Sequence, residues 1–123
     1  MDGQDLQQVA GDYAVGLPGV GVEHRSNPNW DLYKVGGKVF MLMTDLPGRP
    51  VVIVKADPND AAALREQYAE ITPGYHMNKT HWITAEGGTS IDEKLVEELV
   101  SNSYRLVAGR LPKSARPVDP LPL

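Results

Sequence analysis

The chain has 123 residues, a net charge of −4 and no cysteine, with 41% hydrophobic and 23% charged residues. That is the composition of one ordinary globular domain, not of a disordered or fibrous chain. The lack of cysteine excludes disulfides, thiolate metal sites and cysteine nucleophiles, and the acidic balance argues against tight, indiscriminate nucleic-acid binding, which draws its affinity from phosphate neutralisation.

Residues 4–15 predict a helix, because Leu6, Val9, Ala10, Tyr13 and Ala14 recur on one helical face and Gly16 and Pro18-Gly19 end it. Strand candidates follow. Val20, Val22 and His24 alternate with other residues up to the break at Asn27-Pro28-Asn29; residues 30–35 come next; Gly36-Gly37 is a hairpin signal; residues 38–43 return. Leu46-Pro47-Gly48-Arg49 reads as a turn into residues 50–55. These short connections predict an antiparallel meander.

Asp57-Pro58 opens a second helix, with Asp57 as cap and proline at the first helical position. Residues 71–74 close that segment, and residues 81–85 form the next strand. Ser90 and Glu93 match a capping box before a long apolar stripe over residues 91–107. The order α-β-β-β-β-α-β-α predicts an α+β, two-layer sandwich: an antiparallel sheet of about five strands with helices on one face. Residues 1–112 are read as one domain and 113–123 as a proline-rich tail, extended or mobile. The longest apolar runs, residues 39–43 and 51–54, are far too short to cross a bilayer. The first residues carry no basic head or apolar stretch, so a cytoplasmic location is expected.

The third and fourth strands are apolar at nearly every position. Simple alternation sends Val39, Met41 and Met43 one way and Phe40 and Leu42 the other. Either both faces are covered, or one offers an apolar surface to a second copy, another protein or a small ligand.

No phosphate loop, dinucleotide fingerprint, nucleophile elbow or zinc-binding His motif is legible, and neither metal nor cofactor is expected. Asp92-Glu93 and Glu97-Glu98 fit a solvated helix face. The densest chemistry lies in residues 73–82. There Lys79 can hold a phosphate, and Tyr75, His76 and Trp82 can stack on bases or line a pocket. The same segment can equally be structural, with Trp82 in the core and Asn78 satisfying a turn. Residues 103–116 carry Arg105, Arg110, Lys113 and Arg116 and no acid, which reads either as a footprint for a polyanion or as cations offsetting a helix C-terminus.

In chain order, residues 33–40, Val54-Lys55 before Asp57-Pro58, residues 73–82, Ser103-Tyr104-Arg105 and Leu111-Pro112-Lys113 together resemble the MmcQ/YjbR family. The resemblance implies a fold similar to CyaY, the bacterial frataxin, and a non-enzymatic, double-wing DNA-binding role. The frataxin likeness is one of fold, since the aspartates of the first helix do not form a carboxylate ridge for iron. Thr80 stands where a basic residue is common in the family. On this reading Lys34, Lys38, Lys55, Lys79, His81, Arg105, Arg110 and Lys113 meet DNA phosphates, and the sites have no catalytic residue.

Overall fold

The computed structural model of the chain describes residues 1–26, 28–46 and 48–117. Helix α1 (Gly3–Val15) starts where the Asp2 side chain accepts the Asp5 N–H at 2.8 Å, and it buries Leu6, Ala10 and Ala14. Strands β1 (Val20–Arg25), β2 (Trp30–Val35), β3 (Lys38–Leu46) and β4 (Arg49–Lys55) form the expected antiparallel meander. Helix α2 (Pro58–Gln67) is capped by Asp57. Strands β5 (Ile71–Pro73) and β6 (Trp82–Glu86) follow, then helix α3 (Glu93–Ala108) and a short 3-10 turn (Lys113–Ala115).

The sheet order is β1-β2-β3-β4-β6-β5. Among the described residues six strands stand where about five were expected, because β5 has only three residues and ends in a proline. Such a strand fits only at a sheet edge, and β5 pairs with β6 alone. Among the described residues no helix is long and apolar enough to cross a membrane.

The cap of α3 also differs from expectation. Asp92, one residue before the helix, accepts the Leu95 N–H at 2.8 Å, while the Ser90 N–H donates to Glu70 Oε2 at 3.2 Å. The helix runs unbroken through Ser101 and Ser103, which face inward. The tail begins as a folded segment: Arg116 donates from Nε to the Leu111 carbonyl at 2.7 Å and from Nη2 to the Gly109 carbonyl at 2.8 Å. The remaining tail positions, 118–123, lie outside the described residues.

Helices α1, α2 and α3 pack on one face. There Leu6, Ala10, Val96, Val100 and Tyr104 meet the sheet residues Tyr33, Met41, Val52, Val54 and Ile83 in a single cluster. The opposite face holds a smaller cluster of Val51, Ile53 and Trp82, packed against Trp30, Val39, Leu42 and Met77.

The parity of β3 is not the simple alternation read from its sequence. Tyr33 pairs with Met41, but the next residue, Lys34, pairs with Val39, so Phe40 is an extra residue in the ladder. This bulge turns Phe40 and Met41 together into the helix-side core, and both are fully buried. Val39 and Leu42 are left on the other face. Phe40 meets Tyr104 edge-on, ring centroids 5.5 Å apart, a contact that contributes about 1 kcal/mol beyond the buried area. Phe40 is therefore not part of an apolar partner surface, and the second face is covered in part by Trp30 and Met77.

Candidate anion-binding site

The register brings Val35, Lys38, Lys55 and Trp82 to one end of the sheet. The C-terminal half of α3 reaches the same end. There the Ser103 hydroxyl donates to the Phe40 carbonyl at 2.5 Å and accepts the Lys55 N–H at 2.9 Å. The β2–β3 turn is fixed to the end of α3 by Gly36, whose φ is +58°, and a Cβ there would lie 2.5 Å from Leu111 Cδ1. The positive φ favours glycine, and a Cβ there would have to push the Leu111 side chain aside.

Between these elements lies a cavity of about 300 Å³, walled by Val39, Val107, Leu111 and Pro112 and rimmed by Lys38, Lys55 and Arg110. Among the described residues no carboxylate lines it, and none of its three cations has an ion-pair partner. Burial, and then the Arg110 guanidinium, pull the Lys55 ammonium below the usual lysine range. A helix C-terminus normally repels anions. Here Arg116 bonds the Gly109 and Leu111 carbonyls and offsets that partial charge.

The other expected cations are placed differently. Lys34 is bound by Glu23 at 2.8 Å, and Glu23 also accepts from Arg25 Nε at 2.6 Å. Hydrogen bonds from Lys34 and Arg25, with their charges, hold the Glu23 carboxyl down at about 2. Lys34 is thus engaged in an ion pair, which is invisible in sequence because its partner sits on the neighbouring strand. Arg105 lines a second cavity, of about 280 Å³, that it shares with Lys55 but also with Asp57 and Asp60. Lys79 donates to the Gly74 carbonyl and holds its own loop together. Asn78 caps the same loop, accepting the Thr80 and His81 N–H groups. The half-buried His81 supports the start of β6, its carbonyl accepting the Ala56 N–H at 2.9 Å. Lys113 is exposed and begins the 3-10 turn next to Pro112, which walls the cavity.

Trp82 is buried in the second cluster and offers no stacking platform. Tyr75 is exposed, but it stacks on Trp30 with centroids 6.3 Å apart and planes at 14°. His76, at φ +59°, packs on Tyr75 at 4.1 Å. Trp30 is thus an anchor of this aromatic group that the sequence did not signal. The group shares no residue with the cation-rimmed cavity. His24 stands apart from both, its Nδ1 2.7 Å from Asp31.

Four of the segments that carried the family resemblance meet around the cavity: Gly36-Gly37-Lys38, Val54-Lys55, Ser103-Tyr104 and Leu111-Pro112-Lys113. The family model YjbR matches residues 15–106. The chain belongs to the YjbR family. It is similar to YbdF of Escherichia coli O157:H7, described as an uncharacterized protein, with 41% identity over 113 residues, 92% of this chain and 93% of that one. It is also similar to the uncharacterized protein YjbR of Escherichia coli K12, 30% identical over 106 residues, 85% of this chain and 88% of its relative. Among solved structures, Deinococcus radiodurans protein DR2400, a DUF419 domain, superposes with a TM-score of 0.76 at 26% identity, covering 94% of this chain and 85% of that one. A Pseudomonas syringae protein shares the fold, with a TM-score of 0.69 at 24% identity, over 86% of this chain and 98% of its own. The α+β architecture is therefore that of YjbR-like proteins.

Proposed function

We propose that this YjbR-family protein is a non-enzymatic, cytoplasmic DNA-binding protein that engages the phosphate backbone through Lys38, Lys55 and Arg110, with Lys113 beside them. The observation that carries the reading is the gathering at one end of the sheet of three cations with no ion-pair partner among the described residues, in a chain whose net charge is −4. Phosphate contacts position a protein on DNA and read no bases, so binding is weak and tolerant of sequence. On the double-wing reading, the β2–β3 hairpin with its Gly36-Gly37 turn is one wing, and Lys38 is the first residue after that turn.

The test is a salt titration of duplex binding by fluorescence anisotropy. Each neutralised phosphate contributes a log–log slope of about −0.9, so three contacts give about −3. No binding at low salt, or binding indifferent to salt, contradicts the proposal.

A further inference from the structure

We infer that the cavity between Lys38, Lys55 and Arg110 is shaped for a terminal phosphomonoester, a phosphate dianion esterified to a sugar that carries a flat ring such as a nucleobase. This deepens the reading of the cations as a phosphate site, and its source is either the end of a DNA strand or a free mononucleotide.

Shape is the first argument. A phosphate within a strand carries chain on both sides and meets a concavity only at its rim, whereas a terminal phosphate can enter it. Here the cations rim a concavity of about 300 Å³, the lower end of the range for small-ligand pockets. Charge is the second. An internal phosphodiester has one negative charge, whereas a monoester approaches two near neutral pH. Three cations crowd this rim, and Arg110 already disfavours the proton on Lys55, so a dianion relieves a repulsion that a monoanion relieves only in part. The walls are the third. Val39, Val107, Leu111 and Pro112 offer aliphatic surface that a phosphate alone does not use and that a ring carried on it covers.

The experiment uses the full chain and three probes: a short labelled strand phosphorylated at its end, the same strand ending in a hydroxyl, and an unlabelled nucleoside monophosphate as competitor. The end-phosphorylated strand is expected to bind about tenfold tighter than its hydroxyl counterpart. That advantage disappears in Lys38→Gln and in Arg110→Gln, both exposed positions whose change leaves the core intact. It persists in Lys94→Gln, which removes the same charge from the first turn of α3. Perturbation of the Arg110 and Leu111 NMR signals by the mononucleotide, with neither strand bound, supports the cavity with a free nucleotide as source and overturns the DNA reading. Equal affinity for both strands overturns this inference and leaves the DNA reading standing. No binding of any probe overturns both.

Discussion

Ser103 donates its hydroxyl hydrogen to the carbonyl of Phe40 at 2.5 Å, and the same oxygen accepts the N–H of Lys55 at 2.9 Å. The last ladder pair between β3 and β4 in this direction is Met41 with Val54. Beyond it the bulge at Phe40 parts the strands, and the hydroxyl bridges the two backbone groups left facing each other. One side chain from α3 thereby holds the bulge that aims Phe40 inward and the residue that carries the Lys55 ammonium. Ser103→Ala leaves a buried carbonyl and N–H unmatched and is expected to cost about 2 kcal/mol in denaturant unfolding. Hydrogen exchange at the Lys55 amide should accelerate more than at Val52. An unchanged midpoint contradicts the bridge.

The two hairpin glycines should respond unequally. Both take positive φ, +58° at Gly36 and +79° at Gly37, so alanine at either costs about 1–2 kcal/mol in backbone strain. Only at Gly36 does the new Cβ strike Leu111; at Gly37 it meets nothing within 4 Å. Gly36→Ala should therefore lower the thermal midpoint further than Gly37→Ala, and it should also weaken binding at the cavity that Leu111 walls. Equal effects would mean that the hairpin does not rest on the end of α3.

Glu23 supplies an acid-range signature. Its folded value of about 2 lies below the ordinary 4.5, so the carboxylate contributes stability above pH 4.5 that is lost as pH falls through about 2. In an NMR titration its side chain should change protonation near pH 2 in the wild type and move toward 4.5 in Lys34→Gln. In Glu23→Gln the fall of stability between pH 4.5 and 2 should be shallower. A Glu23 midpoint near 4.5 in the wild type would show that Lys34 is not held by it.

The aromatic pair Tyr75 and Trp82 divides by burial. Trp82→Ala empties part of the second cluster and should cost about 3–5 kcal/mol in unfolding. Tyr75→Ala loses a stack on Trp30 at an exposed site and should cost about 1 kcal/mol. Neither residue lines the cation-rimmed cavity, so DNA affinity of the folded Tyr75→Ala protein should match wild type in anisotropy. A large loss there would move the interface to the aromatic face.

Much of the fold could be read from local pattern. The β4 run resolves into strict alternation, Val51 and Ile53 on one face and Val52 and Val54 on the other, and Asp57-Pro58 does start α2. The β3 run misleads because a bulge adds one residue and leaves no mark in composition, so Phe40 changes sides. Strand β5 escapes notice because three residues ending in proline look like a turn, and only pairing with β6 makes them a strand. For the site, the sequence named Lys38, Lys55 and Arg110 but could not separate them from Lys34, Arg105 and Lys79. Cation identity is local. Whether Glu23 or a backbone carbonyl answers the charge depends on which strands and helices become neighbours.

The location of the phosphate site is tested most directly by NMR, following backbone and lysine side-chain signals as a short DNA duplex is added at low salt. The account predicts perturbations centred on Lys38, Lys55, Arg110 and Leu111, with Lys34, Lys94 and Arg49 nearly unmoved. Perturbations centred on the far end of the sheet, where Arg49 pairs with Glu86 at 3.0 Å, or spread evenly over every cation, would contradict it.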